Sequence, residues 1–424
     1  MSAPNDHEEQ YDGDGEEAYI EGEEILAVYD LPEDGDHPMD EDEDEAADQL
    51  GDLPGSTSGA FDEANYENNS IQQFTEHGAS VFCASVHPTQ PLAVSGGEDE
   101  VGYIWDITTG QAVVKLTGHS DSIVAVEWSH DGEMIATGGM DGKTRIWRRV
   151  GATKGKAAED WSTWEFLTEL YGPNEVTWLK WHPKGHVLLA GSQDQLVWMW
   201  QLPSGRVMQV FGGHAAPVCC GTFTPDGKRI VTADEDGTFI IFDPHKESPL
   251  FKLSPTDARF DLDGITALAV NPSSTLAVVG GAAGDVRIIS LSKGEIVGSL
   301  PGHKAGESVE AITFVDIGVE GVDVVVTAGT DSKAYVWDVV TMRLRATLEH
   351  EDPITRLITH PAQPHILVSG SADMTLRSWD ARSGTLLAEH KGHRAPVLDA
   401  SLGMEGKVLV SAGDDGACLV FTTQ

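Results

Sequence analysis

From residue 77 to residue 424 the apolar positions fall in short runs that either alternate with polar residues or are continuous and β-branched, as in SIVAVEW (122–128), MIATGG (134–139) and KTRIW (143–147). Such runs predict strands, and the His-Asp-Gly, Pro-Asp-Gly and Glu-Asp-Gly triplets between them predict tight hairpin turns. The pattern also repeats. HGASVFCASVHPTQPLAVSGGEDEVGYIWD from His77 matches HSDSIVAVEWSHDGEMIATGGMDGKTRIWR from His119: in both, a histidine is followed 22 residues later by an aspartate and six residues after that by a tryptophan. The Asp-to-aromatic spacing returns at Asp194 and Trp200, Asp236 and Phe242, Asp331 and Trp337, Asp373 and Trp379, and Asp415 and Phe421. One further copy, GGAAGDVRIIS, keeps the spacing with Ala283 and Ile289 in those slots. The units start near 77, 119, 172, 214, 261, 303, 350 and 393, a mean step of about 45 residues.

Eight units of four short strands predict eight small antiparallel sheets. Each sheet alone leaves two apolar faces in water, and stacking the sheets radially around an axis buries both. The expected fold is therefore all-β, an eight-bladed β-propeller over 70–424. The last unit stops after its third strand. SIQQFTEH (70–77) aligns with AVVKLTGH ahead of the second unit, so a strand over 70–75 is expected to complete the last blade and close the ring.

Charge changes the picture at the other end of the chain. Residues 1–70 carry 25 Asp and Glu and no Lys or Arg, and the first basic side chain is Lys115. A segment so acidic and so poor in apolar residues cannot offset the entropy of ordering, so 1–69 is expected to be a disordered acidic tail. Within it, IEGEEILAVYDLP holds an apolar island of Ile25, Leu26, Val28 and Tyr29. It reads either as a patch in a coil or as a short motif docking on a sheet edge or a partner. The net charge of -42 sets nucleic acid and anionic membranes low among partners, because those surfaces are bound through Lys and Arg. The expectation is no direct nucleic acid binding and no membrane insertion. Cys83, Cys219, Cys220 and Cys418 are sparse and lack paired metal-ligand spacing, which suits a reducing location, the cytoplasm with the nucleus also open. The basic stretch RRVGATKGKAAED (148–160) is a candidate contact for the protein's own tail.

The repeated units resemble the WD40 family. Gly-His stands at 118–119, 213–214, 302–303 and 392–393, and Trp-Asp at 105–106, 337–338 and 379–380. The resemblance implies a buried hydrogen-bonded network in each blade, made of the His, a Ser or Thr four residues before the Asp, the Asp and the Trp. The complete sets are His77, Ser95, Asp99, Trp105; His119, Thr137, Asp141, Trp147; His303, Thr327, Asp331, Trp337; and His350, Ser369, Asp373, Trp379. The units at His214 and His393 have Phe242 and Phe421 in place of the indole; the third unit keeps only Asp194 and Trp200, and the fifth keeps none.

Similar Ser-His-Asp trios recurring at a fixed position argue against a hydrolase, which needs one exposed nucleophile beside one oxyanion hole. GMDGKT (139–144) lacks the upstream glycine of a phosphate loop and reads as a hairpin tip. His87, His182 and His360 in VHP, WHP and THP read as turn residues, not metal ligands. No catalytic residue, metal or cofactor is expected, and binding should lie on the propeller faces. By the family register, positions just before the repeating Asp and about five residues after the His surround the narrow channel mouth. The candidates there are Glu98, Glu235 and Asp414 in the first set, Phe82 and, allowing for a two-residue insertion after His303, Glu310 in the second, and Glu175 and Asp352 nearby. Convergent carboxylates would capture Arg and Lys side chains of a basic partner.

Taken with the acidic tail, the stretches EEILAVYDLP, ASVFCASVHP, LAVSGGEDE, HPKGHVLLAGSQDQLVWMW and LRSWDARSGTLL resemble the angio-associated migratory cell protein family. That family includes a yeast chaperone dedicated to a large-subunit ribosomal protein of the universal L-sixteen family. The resemblance implies ribosome assembly: a monomer that captures the client's basic N-terminal segment on an acidic propeller face. Two alternatives stay open, a signalling or cell-migration scaffold and a cullin-type ubiquitin ligase substrate receptor, the latter suggested by WDAR at Trp379 to Arg382.

Overall fold

The structure, a computed structural model, describes residues 66–151, 161–319 and 321–423. Within them the chain forms eight four-stranded antiparallel sheets. Blades 1 to 8 begin with strands starting at Val81, Ile123, Val176, Cys220, Ile265, Val309, Ile354 and Val397. The innermost strands of successive blades lie side by side, and that of blade 8 returns to that of blade 1, closing the ring. Blade 8 takes its outer strand from the other end of the chain: Gln72–Phe74 pairs antiparallel with Cys418–Thr422, Gln72 opposite Val420 and Phe74 opposite Cys418. Phe74 is fully buried and stacks on Trp105 of blade 1, with ring centroids 5.0 Å apart. Residues 66–69, assigned to the tail on composition, belong instead to the ordered ring. The Tyr66 hydroxyl donates to the Gly392 carbonyl (2.7 Å) and the Asn69 amide to the Lys391 carbonyl (3.0 Å). Four residues were too few for composition to register. The acidic segment 1–65, its apolar island and most of the basic stretch 148–160 lie outside the described residues.

The sequence pattern follows from what each strand touches. Second strands such as Leu92–Gly97, Met134–Gly139, Val324–Gly329 and Ile366–Ser371 are buried at every position, because neighbouring blades cover both sheet faces. Each buried Val, Leu or Ile there contributes about 1.5–3 kcal/mol relative to exposure. Outer strands such as Thr385–Lys391 are mostly exposed and carry the polar residues. Among the described residues, no helix is long and apolar enough to cross a membrane.

Hydrogen bonds sew neighbouring blades together along the channel. Hydroxyls of Thr177, Thr266 and Thr355 donate to the carbonyls of Val218, Val309 and Val397 in the next blade, at 2.6–2.7 Å. On one end of the ring, the turn histidines form a second seam. His87 Nδ1 accepts from the amides of Thr89 and Gln90, and His360 Nδ1 from those of Ala362 and Gln363. The far edges of His87, His182 and His360 press on Gly132, Gly227 and Gly406 of the following blade, where an added Cβ would lie 2.1–2.4 Å from the imidazole.

The acidic loop face

Antiparallel strands send alternate loops to opposite ends of the ring. One end gathers the loops that enter each blade and the hairpins between its second and third strands. At this end the same backbone bond occurs in all eight blades. The amides of Glu98, Met140, Gln193, Glu235, Ala282, Thr330, Ala372 and Asp414 donate to the carbonyls of Ser80, Ser122, Glu175, Pro217, Gly264, Ser308, Pro353 and Pro396, at 2.8–3.4 Å. Glu98, Glu235 and Asp414 therefore occupy one equivalent position, Glu175 stands on the facing ring of acceptors, and Asp352 immediately precedes it.

The loops of this end hold 22 Asp and Glu against four basic residues, Lys143, Arg259, Lys304 and Arg394. Among the described residues, the loops of the opposite end hold eight acidic against seven basic residues. The negative charge of the ring is thus concentrated on one face, which focuses a negative potential there.

A buried network stiffens that face. In six blades the loop histidine lies 2.8–3.2 Å from an aspartate of the hairpin through Nδ1, and 2.7–2.9 Å from a Ser or Thr hydroxyl through Nε2. With the proton on Nδ1 donated to the carboxylate, Nε2 accepts from the hydroxyl. Burial lowers the basicity of His77, His119 and His303, although each faces an aspartate that favours the cation, so these imidazoles are held neutral. Burial alone would raise Asp373, but the bonds from His350, the Thr375 hydroxyl and the Glu351 amide outweigh it and bring the carboxyl down to about 2.

Two details differ from the sequence expectation. In blade 4 the partner of His214 is Asp234, not Asp236: the Asp234 carboxylate is fully buried, 2.9 Å from the imidazole, while Asp236 is exposed. Asp234 stands where other blades have a glycine or serine, so its carboxylate reaches the same point from two residues earlier. The tryptophans also divide. The Trp337 and Trp379 indoles donate to Thr327 (3.2 Å) and Ser369 (2.8 Å). The Trp105 and Trp147 indole nitrogens are buried with no hydrogen-bond partner, so these rings act by packing, Trp105 on Phe74 and Trp147 against Phe166 and Arg145. Blades 3 and 5 lack the histidine. Blade 5 fills the region with buried Phe260 and Leu262, and blade 3 leaves Asp194 Oδ1 buried and unpaired.

Phe82 and Glu310 owe their position to backbone irregularity. In seven blades the pairing register of the innermost strand shifts between its first and third residues, and the residue skipped is Phe82, Val124, Thr177, Thr266, Glu310, Thr355 or Leu398. Such a bulge re-aims the extra side chain out of the ladder. Glu310 lines a cavity of about 450 Å³ in the channel, together with Lys180, Arg356, Cys219 and Cys220. The channel also holds two interblade ion pairs that spacing did not reveal, Glu127 with Lys180 and Arg356 with Asp399 (2.9 Å). Their signal in the sequence is a charge inside an otherwise apolar inner strand, as in VEW, WLKW and VLDA. Both channel cations thus have carboxylate partners in neighbouring blades, while the short contact of Glu310 is to the Ser308 hydroxyl. At the rim, Asp414 accepts from the Ser80 hydroxyl (2.7 Å), again across a blade boundary.

The closed ring, its repeated His-Asp locks and its loop face define a WD40 propeller. The model of the WD domain, G-beta repeat, matches residues 68–106, 110–148, 164–201, 205–243, 342–380 and 384–422, leaving out blade 5 with its missing His and Asp and most of blade 6 with its longer inner loops. The chain belongs to this family and, within it, to the group of the angio-associated migratory cell protein. The human protein of that name is 33% identical over 361 residues, covering 83% of this chain and 79% of its own length. Ribosome assembly protein SQT1 of Saccharomyces cerevisiae is 24% identical over 396 residues, covering 85% of this chain and 88% of its own. The crystal structure of Chaetomium thermophilum Sqt1 bound to the N-terminus of the ribosomal protein L10 superposes with a TM-score of 0.78 at 27% identity, covering 84% of this chain and all of the other.

Proposed function

We propose that this protein is a non-catalytic ribosome-assembly chaperone that holds the basic N-terminal segment of a newly made large-subunit ribosomal protein of the universal L-sixteen family. The observation that carries the reading is the charge difference between the two loop faces, 22 acidic against four basic on one and eight against seven on the other. A basic peptide lying on the acidic face exchanges water for charge-assisted hydrogen bonds to carboxylates on loops whose backbone the His-Asp locks already hold, so little loop-ordering entropy remains to be lost. Glu310 takes a cationic side chain at the channel mouth, Phe82 at the equivalent bulge of blade 1 offers an apolar contact on the channel wall, and Glu98, Glu175, Glu235, Asp352 and Asp414 line the rim. Similarity to a Sqt1 bound to the N-terminus of L10 supports the choice of client. Shielding a segment that otherwise sticks to RNA suits a cytoplasmic step before the client joins the particle.

Calorimetric titration with the client's basic N-terminal peptide tests this directly. Saturable one-to-one binding to the full-length protein is expected, and absence of binding by folded protein would sink the proposal. Arg382, the residue behind the ligase alternative, is half-exposed and pairs with its neighbour Asp380, with nitrogen–oxygen distances of 2.7–2.9 Å.

A further inference from the structure

On the face opposite the acidic loops, one cluster of metal-ligating side chains bridges two blades. His130 and Asp131 lie in the turn 129–133 of blade 2, and His186 ends the turn 182–186 of blade 3. One imidazole nitrogen from each histidine and one oxygen of the carboxylate all lie within 4.8 Å of one another. His186 Nε2 is 2.8 Å from Asp131 Oδ2, and the two imidazole centroids are 5.3 Å apart.

The turn aims the carboxylate. Asp131 Oδ1 accepts from the Ser129 hydroxyl (2.7 Å) and the Glu133 amide (3.2 Å), which leaves Oδ2 facing blade 3. Bonds of this kind behind a ligand are what orient metal sites. The turn is itself held in place: Gly132 has a positive φ of 73° and packs on the buried His87, so the backbone between His130 and Glu133 has little freedom. Glu133 is paired with Arg149 (3.0 Å) and does not compete for the position.

We propose that His130, Asp131 and His186 form a binding site for a divalent transition metal of the zinc type, which pins blade 2 to blade 3. Two imidazoles and one carboxylate are the donors that zinc, nickel and copper accept, whereas calcium and magnesium favour all-oxygen sets. Bonds of about 2.0–2.2 Å to a tetrahedral ion place donors roughly 3.3–3.5 Å apart. The present spacing closes to that by rotation of partly exposed side chains, with water completing the shell. Because the seam faces away from the acidic loops, the metal acts on the stability of the ring and not on the peptide site.

The test uses full-length protein stripped with chelator, titrated with Zn²⁺ alone against a chromophoric competitor, and melted with and without the ion. One site is expected, with affinity falling at least about tenfold in His186→Ala and in Asp131→Asn. The zinc-dependent rise in Tm should shrink in both variants in step with the lost affinity. His130→Gln, an exposed position, gives the same affinity readout if the seam variants fold poorly. Affinity unchanged in these variants would place the ion elsewhere in the chain and overturn the proposal, as would no binding at about 0.1 mM Zn²⁺.

Discussion

The two loop faces of the propeller come from the same repeat and carry opposite chemistry. On the closed face, imidazoles of His87, His182 and His360 fill the space over glycines of the next blade, and acidic and basic loop residues nearly balance. On the open face, the buried part of each loop is a His-Asp lock in six blades of eight, and most remaining carboxylates have no structural task that their backbone bonds do not already perform. The difference teaches which acidic residues the fold requires. Asp99, Asp141, Asp234, Asp331, Asp373 and Asp415 are needed inside, whereas Glu98, Glu235 and Glu310 sit outside the locks. A sheet stack needs no such excess of charge for its own stability, and mutual repulsion makes it a small cost.

The largest effect should separate the faces by affinity. Glu310→Lys combined with Asp414→Lys is expected to weaken binding of the basic peptide by at least about 100-fold while Tm stays within a few degrees. Calorimetry and a melting scan on the same preparation check both halves. The reverse dissociation is expected from the closed face. Gly132→Ala places a methyl against His87 and strains a positive φ, so it should destabilise by roughly 2–3 kcal/mol in a urea titration and leave peptide affinity unchanged.

The locks of the open face should behave differently from blade to blade. His119→Ala leaves the buried Thr137 hydroxyl and the Asp141 carboxylate without their partner and is expected to cost about 1–3 kcal/mol. Asp194→Ala in blade 3 removes a carboxylate oxygen that is buried and unpaired, so the urea midpoint should stay constant or rise.

Smaller still is the dependence on pH. Burial holds His87 at about 4 in the folded state against 6.5 unfolded, with Arg149 nearby adding to the effect. A base with a depressed folded pKa stabilises fully above 6.5, and that contribution is lost as pH falls from 6.5 towards about 4. Asp373, at about 2 against 3.8 unfolded, adds a second loss between those values. Unfolding titrations in urea from pH 7.5 to pH 3 should show stability declining first through the histidine window, and His87→Gln should make that first limb shallower, leaving the shares of His77, His119 and His303.

Much of this was legible in the chain because the repeat is carried by residues the fold cannot spare. The His, Asp and Trp spacing counted the blades, and a lone strand ahead of the first unit with a three-strand unit at the end pointed to the shared sheet of Gln72–Phe74 with Cys418–Thr422. The spacing failed where geometry offers two routes to one point. Asp234 and Asp236 bracket the same hairpin, and only the fold says which carboxylate turns inward. It also failed for Trp105 and Trp147, whose indoles occupy the family position but meet Phe74 and Phe166 in place of an acceptor. Glu127, Lys180, Arg356 and Asp399 were invisible because their pairing joins residues of different blades, where register along one strand says nothing. The Glu310 position was legible only through family register, since the bulge that re-aims it leaves no mark in composition.

The central claim is that one face of the ring binds a basic segment through its carboxylates. Its most direct measurement is the salt dependence of binding of the client's N-terminal peptide to the full-length protein, compared with Asp414→Lys on the open face and Asp316→Lys on the closed one. Affinity should fall steeply as salt rises, with the slope flattened by Asp414→Lys and left intact by Asp316→Lys. A slope that is shallow, or that the two reversals change equally, would contradict it.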